Sequence, residues 1–154
     1  ESGSTNLLRS GVAHLQDIKV GDAPQTQAGY AVTFYPSRGA SLTLQGMAYG
    51  CYWDEFEPGC RFNPNDRVQP WKIPSYELYE LHVNYHLPLN LRRVDISVFA
   101  HVFNLFDETY VSDATDESGF EAVGLNLAAA HTAQRAEVFF GPGFAWNAGV
   151  KVSF

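Results

Sequence analysis

Residues 26–46 read TQAGYAVTFYPSRGASLTLQG, and their two-residue alternation decides the fold class. In an extended chain successive side chains point to opposite faces. Ala28, Tyr30, Val32 and Phe34 therefore share one side, and Gln27, Gly29, Ala31 and Thr33 the other. Ser37-Arg38-Gly39 supplies a tight turn, after which Leu42, Leu44, Gly46, Ala48 and Tyr52 alternate with Ser41, Thr43, Gln45 and Tyr49 up to about Trp53. If Pro36 and Ala40 close this hairpin, Phe34 opposes Leu42, Val32 opposes Leu44, and Tyr30 lies over Gly46. Every one of these pairs joins apolar-side residues, so the register is self-consistent. Tyr30 also supplies the aromatic cover that compensates a strand glycine.

The same reading extends along the chain. Asp54 to Ile73 carries Pro58, Gly59, Pro64, Asn65, Asp66 and Pro70, and reads as a long polar loop. Alternation resumes with Tyr79, Leu81, Val83, Tyr85 and Leu87 against Glu80, His82, Asn84 and His86. A connection near Pro88 to Arg93 leads to Val94, Ile96, Val98, Ala100 and Val102, set against Asp95, Ser97, Phe99, His101 and Phe103. Pairing Leu87 with Val94 sets His86 opposite Asp95 and Glu80 opposite His101. A second irregular, acidic stretch runs from about Asp107 to Arg135, where Ala128-Ala129-Ala130 suits a short helical turn. The chain closes on Phe144, Trp146, Ala148, Val150, Val152 and Phe154 against Ala145, Asn147, Gly149, Lys151 and Ser153. Gly11 to Val20 reads either as a further strand or as an extension of the first.

Composition narrows the class. A hydrophobic content of 45% is too high for a disordered chain, while 18% charged residues is low for a soluble surface. A formal net charge of -7 without a basic stripe argues against nucleic acid. No apolar run approaches the ~18 residues of a spanning helix. Glu1 follows no charged or apolar leader, which favours an interior start. Cys51 and Cys60 lack a C-x-x-C pattern and are too few for a zinc site, so the reading is a disulfide across one loop in an oxidising compartment, against a pair of free thiols.

Short turns at one end, long excursions at the other, and runs of about 10 to 14 residues match tilted bilayer-crossing strands of ~9–11 residues. A sandwich packed on one face alternates in the same way. The fold class expected is all-β and antiparallel, with a transmembrane barrel ahead of a soluble sandwich.

Three segments carry a resemblance. DRVQPWKIPSYE (Asp66 to Glu77), VFNLFDETYVSDA (Val102 to Ala114) and FFGPGFAWNAGVKVSF (Phe139 to Phe154) are similar to the closing strands of TonB-dependent outer-membrane receptors. Asn104-Leu105-Phe106-Asp107 with Tyr110 resembles the family's penultimate-strand motif, and Gly143 through Gly149 to Phe154 its last strand. Ile18 to Pro24 and Asp54-x-Phe56 resemble Bacteroidetes-type members. The resemblance implies that residues 1–154 form the C-terminal part of a 22-strand-type barrel, with long extracellular loops and short periplasmic turns. It implies the bacterial outer membrane as location, with the C-terminus in the periplasm. It also implies partners: the remaining strands and plug, the TonB complex, the barrel-assembly machinery, lipid and a nutrient ligand. Strands with two open edges cannot span lipid alone. The expectation is therefore a fragment, a portion of a longer receptor, or half of a split barrel.

The candidate residues follow. Val150, Val152 and Phe154 resemble the terminal signal read by the assembly machinery, against an ordinary edge strand ending in Phe. Glu80, His82, Asn84, His86, Asp95 and His101 would face the lumen as hydrogen-bonding pairs. His82 and His86 lie roughly 13 Å apart along a strand, too far to share one ion, and no third ligand joins Glu80 and His101. Asp113, Asp116 and Glu117 lack the EF-hand spacing and read as a solvated loop rather than a calcium site. Tyr49, Tyr52, Trp53, Trp71 and Tyr76 read as an interfacial girdle ahead of a ligand-stacking surface. No catalytic constellation, phosphate loop, cofactor or metal site is expected. The rival function is a soluble, secreted β-sandwich binding a sugar or peptide.

Overall fold

The computed structural model describes residues 17–56, 67–91, 94–116 and 131–154. These are all-β: β1 (Thr26–Phe34), β2 (Ala40–Gly50), β3 (Tyr52–Trp53), β4 (Glu55–Phe56), β5 (Lys72–Ile73), β6 (Tyr76–Leu91), β7 (Val94–Phe103), β8 (Val111–Asp116), β9 (Ala136–Phe140) and β10 (Ala145–Ser153). The five long strands form one antiparallel sheet in the order β1-β2-β6-β7-β10. With the short strands set aside, this is an up-and-down meander. The sheet does not close on itself, and β1 and β10 are its edges.

The first hairpin has the register the sequence predicts, with Phe34 opposite Leu42, Val32 opposite Leu44 and Tyr30 opposite Gly46. Ala40 N donates to Ser37 O at 3.1 Å, and Gly39 sits at φ 83° to close the turn. A Cβ on Gly46 would stand 2.5 Å from Tyr30 Cζ, so the ring does lie on the glycine.

The second hairpin departs from expectation by two residues. Leu87 pairs with Ile96 rather than Val94, His86 with Ser97 rather than Asp95, and His82 rather than Glu80 opposes His101. The cause is Pro88, which does not end the strand. β6 runs on to Leu91, which pairs with Val94, and an irregularity between Leu87 and Leu91 absorbs the proline. Proline is tolerated where the ladder is already interrupted. A shift of two residues preserves the faces, so the segregation of side chains survives the error.

Pairing across all five strands lines up Val32, Leu44, Leu81, Val102 and Trp146, then Phe34, Leu42, Val83, Ala100 and Ala148. Tyr85, Val98 and Val150 continue this apolar face, followed by Leu87, Ile96 and Val152. No apolar side chain of the sheet is buried among the described residues, and Val32 and Val150 are 65% and 64% exposed. Nothing in the described chain covers this face.

The core lies elsewhere. The excursions between β2 and β6 and between β7 and β10 both leave the same end of the sheet, and they dock on one another. β3 pairs with β5, and β4 runs parallel to β8, which in turn pairs antiparallel with β9. The buried apolar residues Tyr52, Ile73 and Ala114 sit here, flanked by Trp71, Val111, Ala136 and Val138. Asp54 to Ile73, expected to be a polar loop, thus supplies the two largest fully buried side chains among the described residues, Ile73 and Asp54. Likewise Val111–Asp116 is a strand within the stretch expected to be irregular. Phe154 and the short turns lie at the opposite end of the sheet. Among the described residues 17–20 there is no strand, and residues 11–16 and 128–130 lie outside the described residues.

Candidate functional site

The face opposite the apolar rows is polar. Thr33, Thr43, His82, His101 and Asn147 stand side by side across the five strands. Thr33 and Thr43 share a hydrogen bond of 2.9 Å between their hydroxyls. His82 Nδ1 lies 2.8 Å from His101 Nδ1, and His82 Nε2 lies 3.3 Å from Glu80 Oε2. His86 Nδ1 is 3.3 Å from Ser97 Oγ, and its Nε2 is 4.0 Å from Asp95 Oδ1. Glu80, His82, Asn84, His86, Asp95 and His101 therefore do share one face, as two polar clusters with Asn84 between. Phe99 and Phe103 also lie on this face against His101, at ring separations of 5.3 and 6.3 Å.

The upper edge of this face carries an aromatic stack. Tyr49 lies on Tyr76 at 4.9 Å between ring centroids, and Tyr76 on Tyr110 at 4.4 Å. Tyr49 and Tyr76 were expected to form a girdle, which requires the apolar face; their strand parity puts them on the other one. Tyr52 is buried in the loop core with Trp71 packed against it, and the ammonium groups of Lys19 and Lys72 lie 5.9 and 5.6 Å from the Trp53 ring. The rings at the loop end of the apolar face are instead Tyr30, Tyr79 and Phe106, in edge-on contact, together with Trp146. Counting parity from Gly46 would have identified Tyr30 and Tyr79. A cavity of about 500 Å³ opens beside them, lined by Ala28, Ala48, Glu77, Tyr79, Phe106 and Glu108 among others.

Asn104 and Asp107 of the Asn-Leu-Phe-Asp segment are structural. Asn104, buried at φ 47°, donates through Nδ2 to Glu108 O at 2.9 Å and to Pro142 O at 3.1 Å. Its Oδ1 accepts from Glu108 N at 2.8 Å. Asp107 Oδ1 accepts from Phe144 N at 2.7 Å, and Leu105 N donates to Tyr79 O at 2.8 Å. One turn therefore ties the end of β7 to β6 and to the entry of β10.

The docked excursions hold a second polar cluster. Asp116 and His131 are buried and hydrogen-bonded to each other. Asp116 is therefore not part of a solvated loop, and His131 is its partner. Glu117 lies outside the described residues, and Asp113 accepts from Ala114 N. Tyr52 Oη donates to Ser112 O at 3.1 Å and lies 3.4 Å from Asp113 Oδ1. Burial, and then the Asp113 charge, push the Tyr52 phenol up to about 12 from an ordinary value of 10.0. A raised folded value means this contribution is intact below pH 10 and lost as pH climbs toward 12. The loop assembly is expected to become protease-sensitive over that window, and Tyr52→Phe to remove that component of the pH dependence. An unchanged alkaline profile in Tyr52→Phe would assign the loss to other groups.

Cys51 is a half-buried free thiol at φ 51°, and Cys60 lies outside the described residues. Val150 and Val152 lie on the apolar face of edge strand β10, and Phe154 follows it fully exposed. Among the described residues no three His, Cys, Asp or Glu side chains gather as a metal site. No family model, curated protein or solved structure matches this chain.

Proposed function

We propose that this chain is wall and outer loops of a transmembrane β-barrel of the bacterial outer membrane, of the TonB-dependent receptor type. Its contribution to nutrient uptake is binding and enclosure rather than bond chemistry. The observation that carries the reading is a five-stranded sheet with one continuous, uncovered apolar face. Exposed apolar patches on soluble monomers rarely exceed a few hundred Å². A sandwich would need a second sheet over Val32, Leu44, Val83 and Val150, and the described chain puts its remaining strands at one end instead.

Dimensions agree with a bilayer. Phe144 to Phe154 spans roughly 33 Å at ~3.3 Å per residue, or about 25 Å of height at a barrel tilt near 40°, the height of an outer-membrane apolar band. The residues of β1 and β10 leave two unpaired edges, each backbone group of which costs several kcal/mol in lipid. Further strands, from the same receptor or another chain, complete the ring around a plug. On this reading the polar face lines the lumen and the docked excursions face the exterior, where ligand arrives. The TonB complex, the assembly machinery and lipid are the other partners.

Trp146 provides the test. In vesicles containing lipids brominated on their acyl chains, its fluorescence is expected to be quenched, while Trp53 and Trp71 on the loop side are not. Variants retaining one tryptophan at a time separate the signals. Quenching of Trp146 by aqueous acrylamide but not by brominated lipid would overturn the membrane reading.

A further inference from the structure

His82 and His101 face each other across neighbouring strands, with Nδ1 atoms 2.8 Å apart. We propose that this pair is a two-imidazole chelate for a divalent transition metal, with copper(II) preferred. The inference does not rest on the membrane reading, since it needs only the β6–β7 register.

Geometry makes the case. Metal–imidazole bonds are about 2.0–2.1 Å, so two nitrogens on one ion lie about 2.9 Å apart at a right angle and about 3.4 Å apart in a tetrahedron. The observed separation is close to the right-angle bite, the geometry of tetragonal copper(II) or nickel(II) rather than zinc, and copper(II) also binds nitrogen donors most tightly in the divalent series. Strand pairing fixes the two backbones, so little ordering remains to be done on binding. Both rings are half-buried, and Phe103 stands edge-on to His82 at 6.2 Å.

Glu80 supplies the usual outer-shell partner. Its carboxylate, 3.3 Å from His82 Nε2, favours the tautomer with the proton on Nε2 and leaves Nδ1 with a free lone pair. His101 then carries its proton on Nδ1, pointed at His82. Metal entry requires that proton to leave Nδ1 for Nε2 or for water, and both rings to turn until their Nδ1 lone pairs converge on an ion beside the N–N line. The two imidazoles fill two coordination positions, and water or an oxygen- or nitrogen-bearing cargo fills the rest. The site is an open one that can hold a ligand through its metal.

Calorimetric titration of the detergent-solubilised protein with copper(II), nickel(II) and zinc chlorides tests this. The expected result is one equivalent of copper(II) at micromolar affinity, with nickel(II) and zinc weaker. His82→Gln and His101→Gln each lose at least tenfold, Glu80→Gln loses about tenfold, and His86→Gln is unchanged. Electron paramagnetic resonance of the copper-loaded wild-type protein should show coupling to two imidazole nitrogens, a readout independent of whether any variant folds. Affinity unaffected by both His82→Gln and His101→Gln, a spectrum with fewer than two imidazole nitrogens, or no binding at all would overturn the proposal and leave a hydrogen-bonded histidine pair only.

Discussion

Arginine in place of Val83 is expected to lower folding stability in lipid vesicles by about 2–4 kcal/mol, while arginine at the next residue, Asn84, changes it by less than about 0.5 kcal/mol. The two positions share a strand and a height, and both are exposed; they differ only in the face they occupy. Val83 lies midway along the apolar rows between Leu42 and Ala100, where a guanidinium would have to enter hydrocarbon. In water the same substitution would be nearly neutral, because nothing packs over Val83. Urea titration of the vesicle-reconstituted protein, followed by tryptophan fluorescence, measures the difference. Equal and small effects at both residues would mean that the apolar face meets water, and the barrel reading would fall.

The second large effect is expected at the turn after β7. Asn104→Ala removes two donated hydrogen bonds and one accepted bond at a buried position, each worth about 1 kcal/mol. Alanine must also adopt the left-handed conformation that Asn104 holds at φ 47°, at a cost of about 1–2 kcal/mol. The sum is about 4–5 kcal/mol, and relaxation around the smaller side chain brings the expected loss to about 3 kcal/mol. Asn104→Gly relieves the backbone and should recover about 1 kcal/mol of it. Denaturant unfolding of both variants against the wild type measures this. A loss below about 0.5 kcal/mol for Asn104→Ala would show that the turn does not anchor β10.

How legible the sequence was depends on what fixed each element. The first hairpin could be read to the residue because Gly39 closes a short turn and one register alone matches Val32 with Leu44. The second could be read only to its faces, since Pro88 looked like a terminator and the irregularity that hosts it leaves no mark in the alternation. That error separated His82 from His101 and concealed the closest pair on the polar face. The loop core was illegible for a different reason. Ile73 and Asp54 are buried by Trp71, Ala114 and their neighbours, partly supplied from another excursion, and two-residue strands such as Tyr52–Trp53 are too short to show a period. Proximity to a loop groups Tyr49 with Tyr76 in the sequence, whereas strand parity groups Tyr30 and Tyr79 with the apolar rows.

The backbone pairing of Glu55 with Thr115 and Phe56 with Asp116 joins segments sixty residues apart in the chain. Two stretches that lie far apart along the chain are stitched together by one parallel bridge. A substitution that disrupts one segment is consequently felt by the other, and a chimera that transplants either alone inherits half of a shared seam.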